Sequence, residues 1–329
     1  MIISRTPLRI SFAGGGTDLA AFYKHQPGAV TSTAINKYIY VTINKKFDNR
    51  IRVSYSKTEN VEHVDELHHG LVREAMKLTG LDSGVEITTI ADIPSRGTGL
   101  GSSSSVTVGL LNALYAYQGI MKSRQTLAKE ACKIEIEILG EPIGKQDQYI
   151  AAYGGIQYIQ FNPDESVYVD PVICSSKTKQ ELEKHMLLFY TGVTRKARKI
   201  LTKQIKNTKK KNKNLVKIKK LSEIVRDNIC NNYINEVGKN LHQGWLFKKE
   251  LASGISNPMI DELYENAKKA GALGGKILGA GGGGFLLIFC KSKYQKKVKS
   301  VLKKLSVVPI KLEPQGSKII YVEDKYNQI

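Results

Sequence analysis

Clusters of apolar residues separated by short polar turns predict β-strands in the first half of the chain. Isoleucine, valine and tyrosine recur at 38–43, 51–55 and 85–90, and these residue types favour extended backbone. A further strand is predicted at 156–161, directly after a pair of glycines, and another extended segment at 167–172. The first half therefore predicts a sheet.

Helical periodicity becomes prominent after the third of these strands. Helices are predicted at about 103–117 and 123–139, the second with Ser123 as its N-cap. Because strands and lysine-rich helices are mixed in the second half, we expect an α+β protein of two domains, 1–180 and 181–329, with the boundary near 175–185. The elements predicted in the second domain are a strand at 185–190, helices to about residue 270, a strand at 285–290, a helix at 294–305 and a closing strand at 317–323.

Composition narrows the class of protein. The 329 residues are 41% hydrophobic and 24% charged, which is ordinary for a globular enzyme and far from a disordered chain. No apolar run is long enough to cross a membrane, and Arg5 and Arg9 interrupt the N-terminus where a signal peptide would be apolar. We therefore expect a cytoplasmic protein. Four widely spaced cysteines without a CxxC pair predict neither disulfides nor zinc.

The formal net charge of +20 raises the hypothesis of nucleic-acid binding, because lysine is dense between residues 195 and 220. The same stretch has apolar residues at near-helical spacing, which favours a packed helix with a solvated lysine face. A positive field would also attract an anionic substrate. The apolar positions are Ile200, Leu201, Ile205, Leu215, Ile218 and Leu221.

Three glycine-rich sites, at 14–16, 97–101 and 279–284, indicate phosphate binding. Glycine lets the backbone approach a ligand, and consecutive amides in such turns attract anions. The central site continues as PSRGTGLGSSSS at 94–105, so its serines fall on the first turn of a helix. One serine suffices for a helix cap, and four behind a glycine run favour phosphate or magnesium binding.

Two familiar nucleotide motifs are excluded by their context. Gly279, Gly281 and Gly284 match GxGxxG but precede a strand rather than a helix. Gly275 and Lys276 resemble the end of a Walker loop, but Ile277 stands where serine or threonine is required. The sequence therefore predicts neither a Rossmann nor a P-loop fold.

Acidic candidates lie in the segment IEIEILGEPIGKQDQ. Glu135 and Glu137 are predicted at the end of a helix, and Asp147 in a turn beyond a glycine and proline loop. An isolated aspartate of this kind commonly stabilises a turn. Phosphoryl transfer, however, needs one carboxylate for the attacking hydroxyl and another for magnesium. Both interpretations stay open at this point.

The three motifs together resemble the GHMP kinases, named for galactokinase, homoserine kinase, mevalonate kinase and phosphomevalonate kinase. They are TPLRISFAGGGTDL at 6–19, PSRGTGLGSSSS at 94–105 and LGAGGGGFLLI at 278–288, in the family's order and spacing. The segments LGEPIGKQDQYIAAYGG and ASGISNPMID look most like the heptose 7-phosphate kinases among them. The resemblance implies a two-domain α+β fold, with an N-terminal domain similar to ribosomal protein S5 domain 2 and a ferredoxin-like C-terminal domain.

The resemblance also implies roles for single residues. Asp147 would be the catalytic carboxylate, with Arg9 near the transferred phosphate, and Ser103 and Glu135 would hold Mg²⁺, Glu137 being the competing ligand. The implied ATP-binding residues are Gly97, Gly99, Leu100, Gly101, Ser102, Ser103 and Ser104. The implied substrate-binding residues are Gly15, Gly16, Thr17, Asp18, Gly144, Lys145, Gln146, Arg195, Gly282 and Gly283.

The implied reaction is ATP-dependent phosphorylation of the anomeric hydroxyl of a heptose 7-phosphate, for nucleotide-activated heptose synthesis. Arg195 or Lys145 would bind the phosphate that the substrate already carries. A fucokinase-like anomeric kinase is the alternative, and a non-catalytic sugar or nucleotide sensor is a second. We expect a sugar phosphate and ATP as the partners, no nucleic acid, no membrane, and a monomer or homodimer.

Overall fold

The computed structural model describes residues 1–94, 99–193 and 197–323. The strands of these residues are β1 (Ile2–Ala13), β2 (Gly28–Lys45), β3 (Ile51–Ser54), β4 (Thr58–Val61), β5 (Val85–Ala91), β6 (Ile156–Phe161), β7 (Val167–Pro171), β8 (Met186–Tyr190), β9 (Ala272–Ile277), β10 (Phe285–Cys290), β11 (Ser306–Val308) and β12 (Lys318–Val322). The helices are α1 (Ala20–Tyr23), α2 (Gly70–Thr79), α3 (Ser102–Tyr117), α4 (Arg124–Cys132), α5 (Gln146–Tyr153), α6 (Ser176–His185), α7 (Ala197–Asn207), α8 (Asn212–Cys230), α9 (Ile234–Lys249), α10 (Pro258–Lys269) and α11 (Ser292–Val301).

The larger sheet is organised around the long strands β1 and β2. Its order is β12-β1-β2-β5-β3-β4, and β6 pairs with the first half of β2 and carries β7 at its other edge. The first half of β2 is buried almost without interruption, because β1, β6 and the helices cover it. All of the paired strands in this sheet are antiparallel except β3 and β5.

The smaller sheet is antiparallel, with the order β11-β8-β10-β9. The central strand β10, with the sequence FLLIFC, is buried at all of its positions. A strand that is apolar throughout is expected where both faces of a sheet are covered. Helix α9 packs on β9, and α10 and α11 also contact this sheet.

A continuous apolar core joins the two sheets. Helix α8 packs against β1, β2 and β6 on one side and against α9 on the other. The main hydrophobic cluster accordingly includes Leu8 and Val41 of the larger sheet, Val225 of α8, Val237 of α9 and Phe289 of the smaller sheet. Because α8 and α9 share this core with both sheets, residues from the two halves of the chain are held against each other.

The predicted strands at 38–43, 51–55, 85–90, 156–161 and 285–290 are confirmed, as is the mixed α+β character. The elements that were not predicted are the strands β1, β4, β9 and β11 and the helices α1, α2, α5 and α6. The predicted helix at 123–139 is α4 followed by a π-helical turn, Lys133–Ile138. The division at residue 180 stays a prediction, and the closing strand β12 pairs with β1 rather than with the smaller sheet.

Two details of the sequence interpretation change. The turn predicted around Asp147 is wrong, because this residue lies in the first turn of helix α5. The packed-helix interpretation of the lysine-rich stretch is supported, since Leu215, Ile218 and Leu221 of α8 are buried. Within the described part of the chain, no helix combines the length and apolarity that crossing a bilayer requires.

Two glycines of helix α9 provide a matched test of this packing. A Cβ on Gly238 would lie 2.7 Å from both Leu273 and Phe289, whereas a Cβ on Gly244 would lie 3.6 Å from Leu221, an ordinary contact. We expect Gly238→Ala to reduce the free energy of unfolding by about 1–3 kcal/mol through overpacking. Gly244→Ala should raise it by about 0.5–1 kcal/mol, because alanine is the better helix former. Denaturant unfolding measures both, and equal effects of the two substitutions would contradict the packing described.

Candidate active site

A buried ion pair between β1 and α5 lies at the centre of the site. Arg9 Nε donates to Asp147 Oδ1 at 2.7 Å, and Nη2 donates to Oδ2 at 2.7 Å. The side chain of Arg9 is 4% exposed and that of Asp147 is 22% exposed. A bidentate pair of this kind fixes the plane and direction of the carboxylate. Asp147 is therefore oriented while part of it stays accessible to a ligand.

The N-terminus of α3 abuts this pair. Gly101, the N-cap residue, has φ of 77°, and a Cβ there would lie 3.3 Å from both Arg9 and Asp147. Arg9 also donates through Nη1 to the carbonyl of Gly99 at 2.6 Å, and its amide donates to the carbonyl of Leu100 at 3.1 Å. The first amides of a helix have no intrahelical acceptor and carry partial positive charge. An anion is therefore favoured next to Asp147, at the start of α3.

Glu135 is fully buried beside the same helix end. Ser103 Oγ donates to Glu135 Oε1, and Gln148 Nε2 donates to Oε2 at 2.6 Å. The π-helical turn aims this side chain inward, whereas Glu137, two residues further, is exposed. Burial raises the pKa of Glu135 to about 7, against the opposing effect of hydrogen bonds from Ser103, its neighbouring serine and Gln148. Of the two glutamates that the sequence left as candidate magnesium ligands, Glu135 is thus favoured.

Asp18 occupies the opposite side of the ion pair. Its carboxylate accepts hydrogen bonds from the amide of Gly16 at 2.8 Å and from the side-chain amide of Gln146 at 3.0 Å. A Cβ on Gly144 would lie 2.0 Å from Asp18 Oδ2, so glycine is required there. The pKa of Asp18 is raised, first by burial and further by the negative charge of Asp147. These contacts fix Asp18 rigidly next to the catalytic candidate.

The glycine-rich loops meet around these residues. A Cβ on Gly99 would lie 2.4 Å from the carbonyl of Leu278, and one on Gly279 would lie 2.5 Å from Gly99 Cα. A Cβ on Gly16, whose φ is 102°, would lie 2.4 Å from Gln204 Nε2 of helix α7. Close backbone contacts of this kind are possible only with glycine. The three motifs, far apart in sequence, therefore form one site.

A cavity of about 90 Å³ opens between these loops. Two polar atoms that face this region, Ser11 Oγ and Gln146 Oε1, are buried and lack a hydrogen-bond partner among the described residues. Buried polar atoms are nearly always paired, so unpaired ones at a cavity indicate a ligand that would complete them. The lining residues are Arg9, Ser11, Gly15, Gly16, Asp18, Leu19, Ile143, Gly144, Gln146, Asp147, Leu201, Gln204, Lys248, Lys276, Gly279 and Ala280.

Four polar residues of this lining were missed from the sequence: Ser11, Gln204, Lys248 and Lys276. Lys276 was considered only as part of an excluded Walker pattern. A usable signal was present in the strand sequence ALGGKI of β9, which has a single lysine among apolar residues and glycines. Burying a charged side chain in such a strand reduces stability, so a lysine there suggests a functional role. Ser11 also had a signal, since it is two residues from Arg9 on the same face of β1. Gln204 and Lys248, on helices with many polar residues, had none.

A second cavity, of about 490 Å³, borders the N-terminus of α3. Ser102, Ser103 and Val106 of α3 contribute to its wall, together with apolar and aromatic residues of the larger sheet and α2. Its remaining lining residues are Ile39, Tyr55, Ser56, His69, Leu71, Thr89, Ile90, Ala91 and Ile93. This size and apolar character suit a planar heterocycle such as a nucleotide base.

Some predicted substrate residues lie apart from the first cavity. Lys145 Nζ donates to Glu165 and lies 4.6 Å from the ring centroid of Tyr23. Thr17 donates its hydroxyl to the carbonyl of Gly14 at 2.8 Å. Neither residue lines the cavity, and the same is true of the predicted glycines Gly282, whose amide donates to Ile255, and Gly283, which packs on Val193. Gly97 and Arg195 lie outside the described residues.

The donor set at Glu135 suits magnesium. The hydroxyl of Ser103 and the carboxylate of Glu135 are in hydrogen-bond contact, and both are oxygen ligands. Among residues that the structure describes, no cluster of three or more His, Cys, Asp or Glu side chains could hold a metal ion. Mg²⁺ usually takes one or two protein ligands and completes its shell with water and phosphate oxygens. A site with few protein ligands beside a phosphate-binding helix end therefore fits.

An oriented carboxylate, a helix end that favours an anion and a cavity of suitable size for a nucleotide base indicate the class of protein: a kinase that phosphorylates a small molecule. Comparison with known families agrees. The profile for the GHMP kinases N terminal domain matches residues 66–155, and that for the GHMP kinases C terminal domain matches 225–306. The chain belongs to the GHMP kinase family and is an ATP-dependent sugar kinase.

Individual relatives support this membership. The D-glycero-alpha-D-manno-heptose 7-phosphate kinase of Campylobacter jejuni is 30% identical over 302 residues, which cover 88% of this chain and 89% of that protein. The bifunctional fucokinase/GDP-fucose pyrophosphorylase of Arabidopsis thaliana is 28% identical over 88% of this chain, which spans 30% of the plant protein. The structure of a D-glycero-D-manno-heptose 1-phosphate kinase from Bacteroides thetaiotaomicron superposes with a TM-score of 0.83 at 25% identity, over 98% of this chain and 100% of that one.

The raised pKa of Glu135 predicts how the free energy of unfolding depends on pH. Because its pKa is about 7 when folded and near 4.5 when unfolded, the folded protein binds more protons between these values. The free energy of unfolding should therefore fall as pH rises from about 4.5 to 7. We expect the Glu135→Gln protein to lack this pH-dependent fall in the free energy of unfolding. At pH 8 its free energy of unfolding should exceed that of the wild type by about 2–3 kcal/mol.

Urea unfolding in EDTA from pH 5 to pH 8 measures this effect. Glu137→Gln is the matched control, because it removes an exposed carboxylate two residues away. It should follow the wild-type dependence on pH. A Glu135→Gln protein that tracks the wild type across this range would contradict the assignment.

Alanine substitutions at the adjacent residues Gly14 and Gly15 are expected to have different effects, one on stability and the other on acceptor binding. A Cβ on Gly15 would make ordinary contacts, 3.6 Å from Gln146 Nε2 and 3.7 Å from Ser11 Oγ, but would protrude into the cavity. Gly15→Ala should therefore fold normally and raise the KM for the acceptor about tenfold, with little change in the KM for ATP. A Cβ on Gly14, with φ of 92°, would lie 2.0 Å from the carbonyl of Ala29, so Gly14→Ala should lower the melting temperature instead. Unchanged acceptor kinetics in a folded Gly15→Ala enzyme would contradict the placement of the acceptor.

Proposed function

We propose that this enzyme transfers the γ-phosphate of ATP to the anomeric hydroxyl of D-glycero-D-manno-heptose 7-phosphate, giving the 1,7-bisphosphate. The observation that carries the reaction type is the Asp147 carboxylate, fixed by Arg9 at the N-terminus of α3 and at the wall of a polar cavity. The choice of sugar is supported by the similarity to the heptose 7-phosphate kinase of Campylobacter jejuni over most of both chains. The product suits a route to nucleotide-activated heptose.

The nucleotide side of the reaction uses α3 and the cavity beside it. The base of ATP fits the larger cavity, and its phosphates fit the segment from Gly99 to the serines that begin α3. Ser103 and Glu135 would hold Mg²⁺, which neutralises charge on the phosphate oxygens when bound. This arrangement directs the γ-phosphate towards the side of α3 on which Asp147 lies.

The acceptor side uses Asp147 as the group that receives the proton. The anomeric oxygen forms a bond to the γ-phosphorus, its proton passes to Asp147, and the bond from that phosphorus to the bridging oxygen breaks, releasing ADP. Asp18 and Gln146 bind sugar hydroxyls at the wall of the same cavity. Arg9 keeps the carboxylate aligned and supplies positive charge next to the transferred group.

A fucokinase-like activity on an unphosphorylated sugar is the alternative. The observation in its favour is the similarity of 28% and 27% to the fucokinases of Arabidopsis thaliana and Bacteroides fragilis. A sensor without catalysis is disfavoured, because the Arg9 and Asp147 pair would be retained for no chemical purpose. The two kinase functions differ in whether the acceptor already carries a phosphate.

The test is an acceptor panel with purified enzyme, ATP and Mg²⁺. We expect turnover of D-glycero-D-manno-heptose 7-phosphate with far higher kcat/KM than of fucose, galactose or mevalonate, and a product with phosphate on the anomeric oxygen by phosphorus NMR. Preferential turnover of fucose would replace the proposed function by the alternative. ATP consumption unaffected by any sugar would overturn both.

The same assay tests Asp147. Asp147→Asn should lower kcat by about 10²–10⁴-fold, because the amide cannot accept the proton. Asp170→Asn, at an exposed position of β7, is the matched control and should keep full turnover. A folded Asp147→Asn enzyme with undiminished kcat would remove this residue from the mechanism.

A further inference from the structure

The buried lysine of strand β9 has no role in the mechanism above. Lys276 projects from the smaller sheet to β1 of the larger sheet, where its Nζ donates to the carbonyls of Ser11 at 2.9 Å and Phe12 at 3.3 Å. The residue is 6% exposed and lines the acceptor cavity. An ammonium group has three N–H donors, so these two carbonyls leave one donor for a ligand in the cavity.

The charge of Lys276 is not matched by an ion pair within the described part of the chain. Among residues 1–94, 99–193 and 197–323, no carboxylate lies within ion-pair distance of its Nζ. Burial and the positive charge of Arg9 lower the pKa of Lys276 to about 7, and Asp18 opposes this effect. A buried cation without an anion is costly. An anionic ligand in the cavity would remove that cost.

Among the described residues, the other cations of the cavity already have partners. Arg9 uses Nε and Nη2 for Asp147 and Nη1 for the carbonyl of Gly99. Lys248 donates to the carbonyls of Ile277, at 3.1 Å, and Gly279, and it takes part in a further interaction beyond these two. Lys145, one of the two residues that the sequence suggested for the substrate's own phosphate, pairs with Glu165 outside the cavity. Of the lysines that line the cavity in the described part of the chain, Lys276 is therefore the one with a donor left for a ligand.

A second polar group lies next to it. Ser11, whose carbonyl accepts from Lys276, has its own hydroxyl buried at the cavity without a hydrogen-bond partner among the described residues. The residue is 4% exposed. A hydroxyl can donate to a phosphate oxygen as an ammonium group does. One uncompensated cation and one unpaired donor on the same wall form the kind of site that a phosphate completes.

We propose that Lys276, with the hydroxyl of Ser11, binds the phosphate group that the acceptor sugar carries before the reaction. This inference rests on the proposed function, because an unphosphorylated acceptor would have no group for this subsite. The enzyme would then hold its acceptor at two points: the hydroxyl to be phosphorylated at Asp147, and the existing phosphate at Lys276. Specificity for a sugar phosphate follows, since an acceptor without that group leaves the buried cation unmatched.

The test compares two acceptors that differ only in the 7-phosphate. We expect Lys276→Met to lower kcat/KM for D-glycero-D-manno-heptose 7-phosphate by about tenfold to a hundredfold. For the unphosphorylated heptose, kcat/KM should change by less than about threefold. The ratio of the two values is independent of the fraction of active enzyme, so partial unfolding of the variant does not affect it. Lys268→Met is the matched control, because Lys268 donates to a backbone carbonyl, that of Leu273, away from this cavity.

Two further measurements extend the test. Ser11→Ala removes a hydroxyl that has no hydrogen-bond partner among the residues that the structure describes, so it should fold normally and raise the KM for the phosphorylated acceptor alone. In the wild type, that KM should rise as pH increases above about 7, where Lys276 loses its proton, and this rise should be absent in Lys276→Met. Arg9, Asp18 and Lys248 line the same cavity, and all three are retained in the variant.

The outcomes separate the two proposals. If the wild type prefers heptose 7-phosphate but Lys276→Met loses the same factor with both acceptors, Lys276 contacts the transferred phosphate or has a structural role, and this inference is overturned while the proposed function stands. The inference is also overturned if Lys276→Met and Ser11→Ala both keep the wild-type ratio of kcat/KM for the phosphorylated and unphosphorylated acceptors. If the wild type does not use heptose 7-phosphate, the proposed function fails and the inference fails with it.

Discussion

The pairing of Arg9 with Asp147 is the interaction on which the site depends. It joins β1 to helix α5 through two hydrogen bonds of 2.7 Å, and a third bond from the guanidinium ties both to the glycine loop before α3. A charge-assisted bidentate contact gives direction as well as energy. The protein itself thus aligns the carboxylate, and in the proposed mechanism such preorganisation lowers the barrier to transfer.

Burial gives the surrounding charges their unusual properties. Asp18 and Glu135 are carboxylates in a low-dielectric environment, and their pKa values are raised by burial and by the negative charge of Asp147. Lys276 shows the opposite shift for the same reason. Such groups are expensive to hold in an empty site, and bound magnesium, phosphate and sugar would offset that cost. Ligand binding would therefore stabilise the folded protein by compensating these buried groups.

The shared core explains how two sheets can build one site. Helices α8 and α9 pack against both sheets, and Lys276 of β9 donates to the backbone of β1. The third glycine loop is thereby pressed against the second, with Gly279 in contact with Gly99. Neither half of the chain contains both the oriented carboxylate and the buried lysine. The cavity exists because the halves are packed together.

The sequence by itself determined the α+β class, most strands and the three glycine motifs, because these depend on local pattern. The family resemblance that the motifs carry then implied Arg9, Asp18, Asp147 and one of two glutamates, Glu135 or Glu137, as site residues. Tertiary structure decided what depends on contacts between distant residues. In the folded chain Glu135 is buried whereas Glu137 is exposed, and Asp147 lies on a helix. Lys145 pairs with Glu165, and Lys276 contacts β1, 265 positions away in sequence. Burial and electrostatic environment are properties of the folded chain, and no periodicity or spacing encodes them.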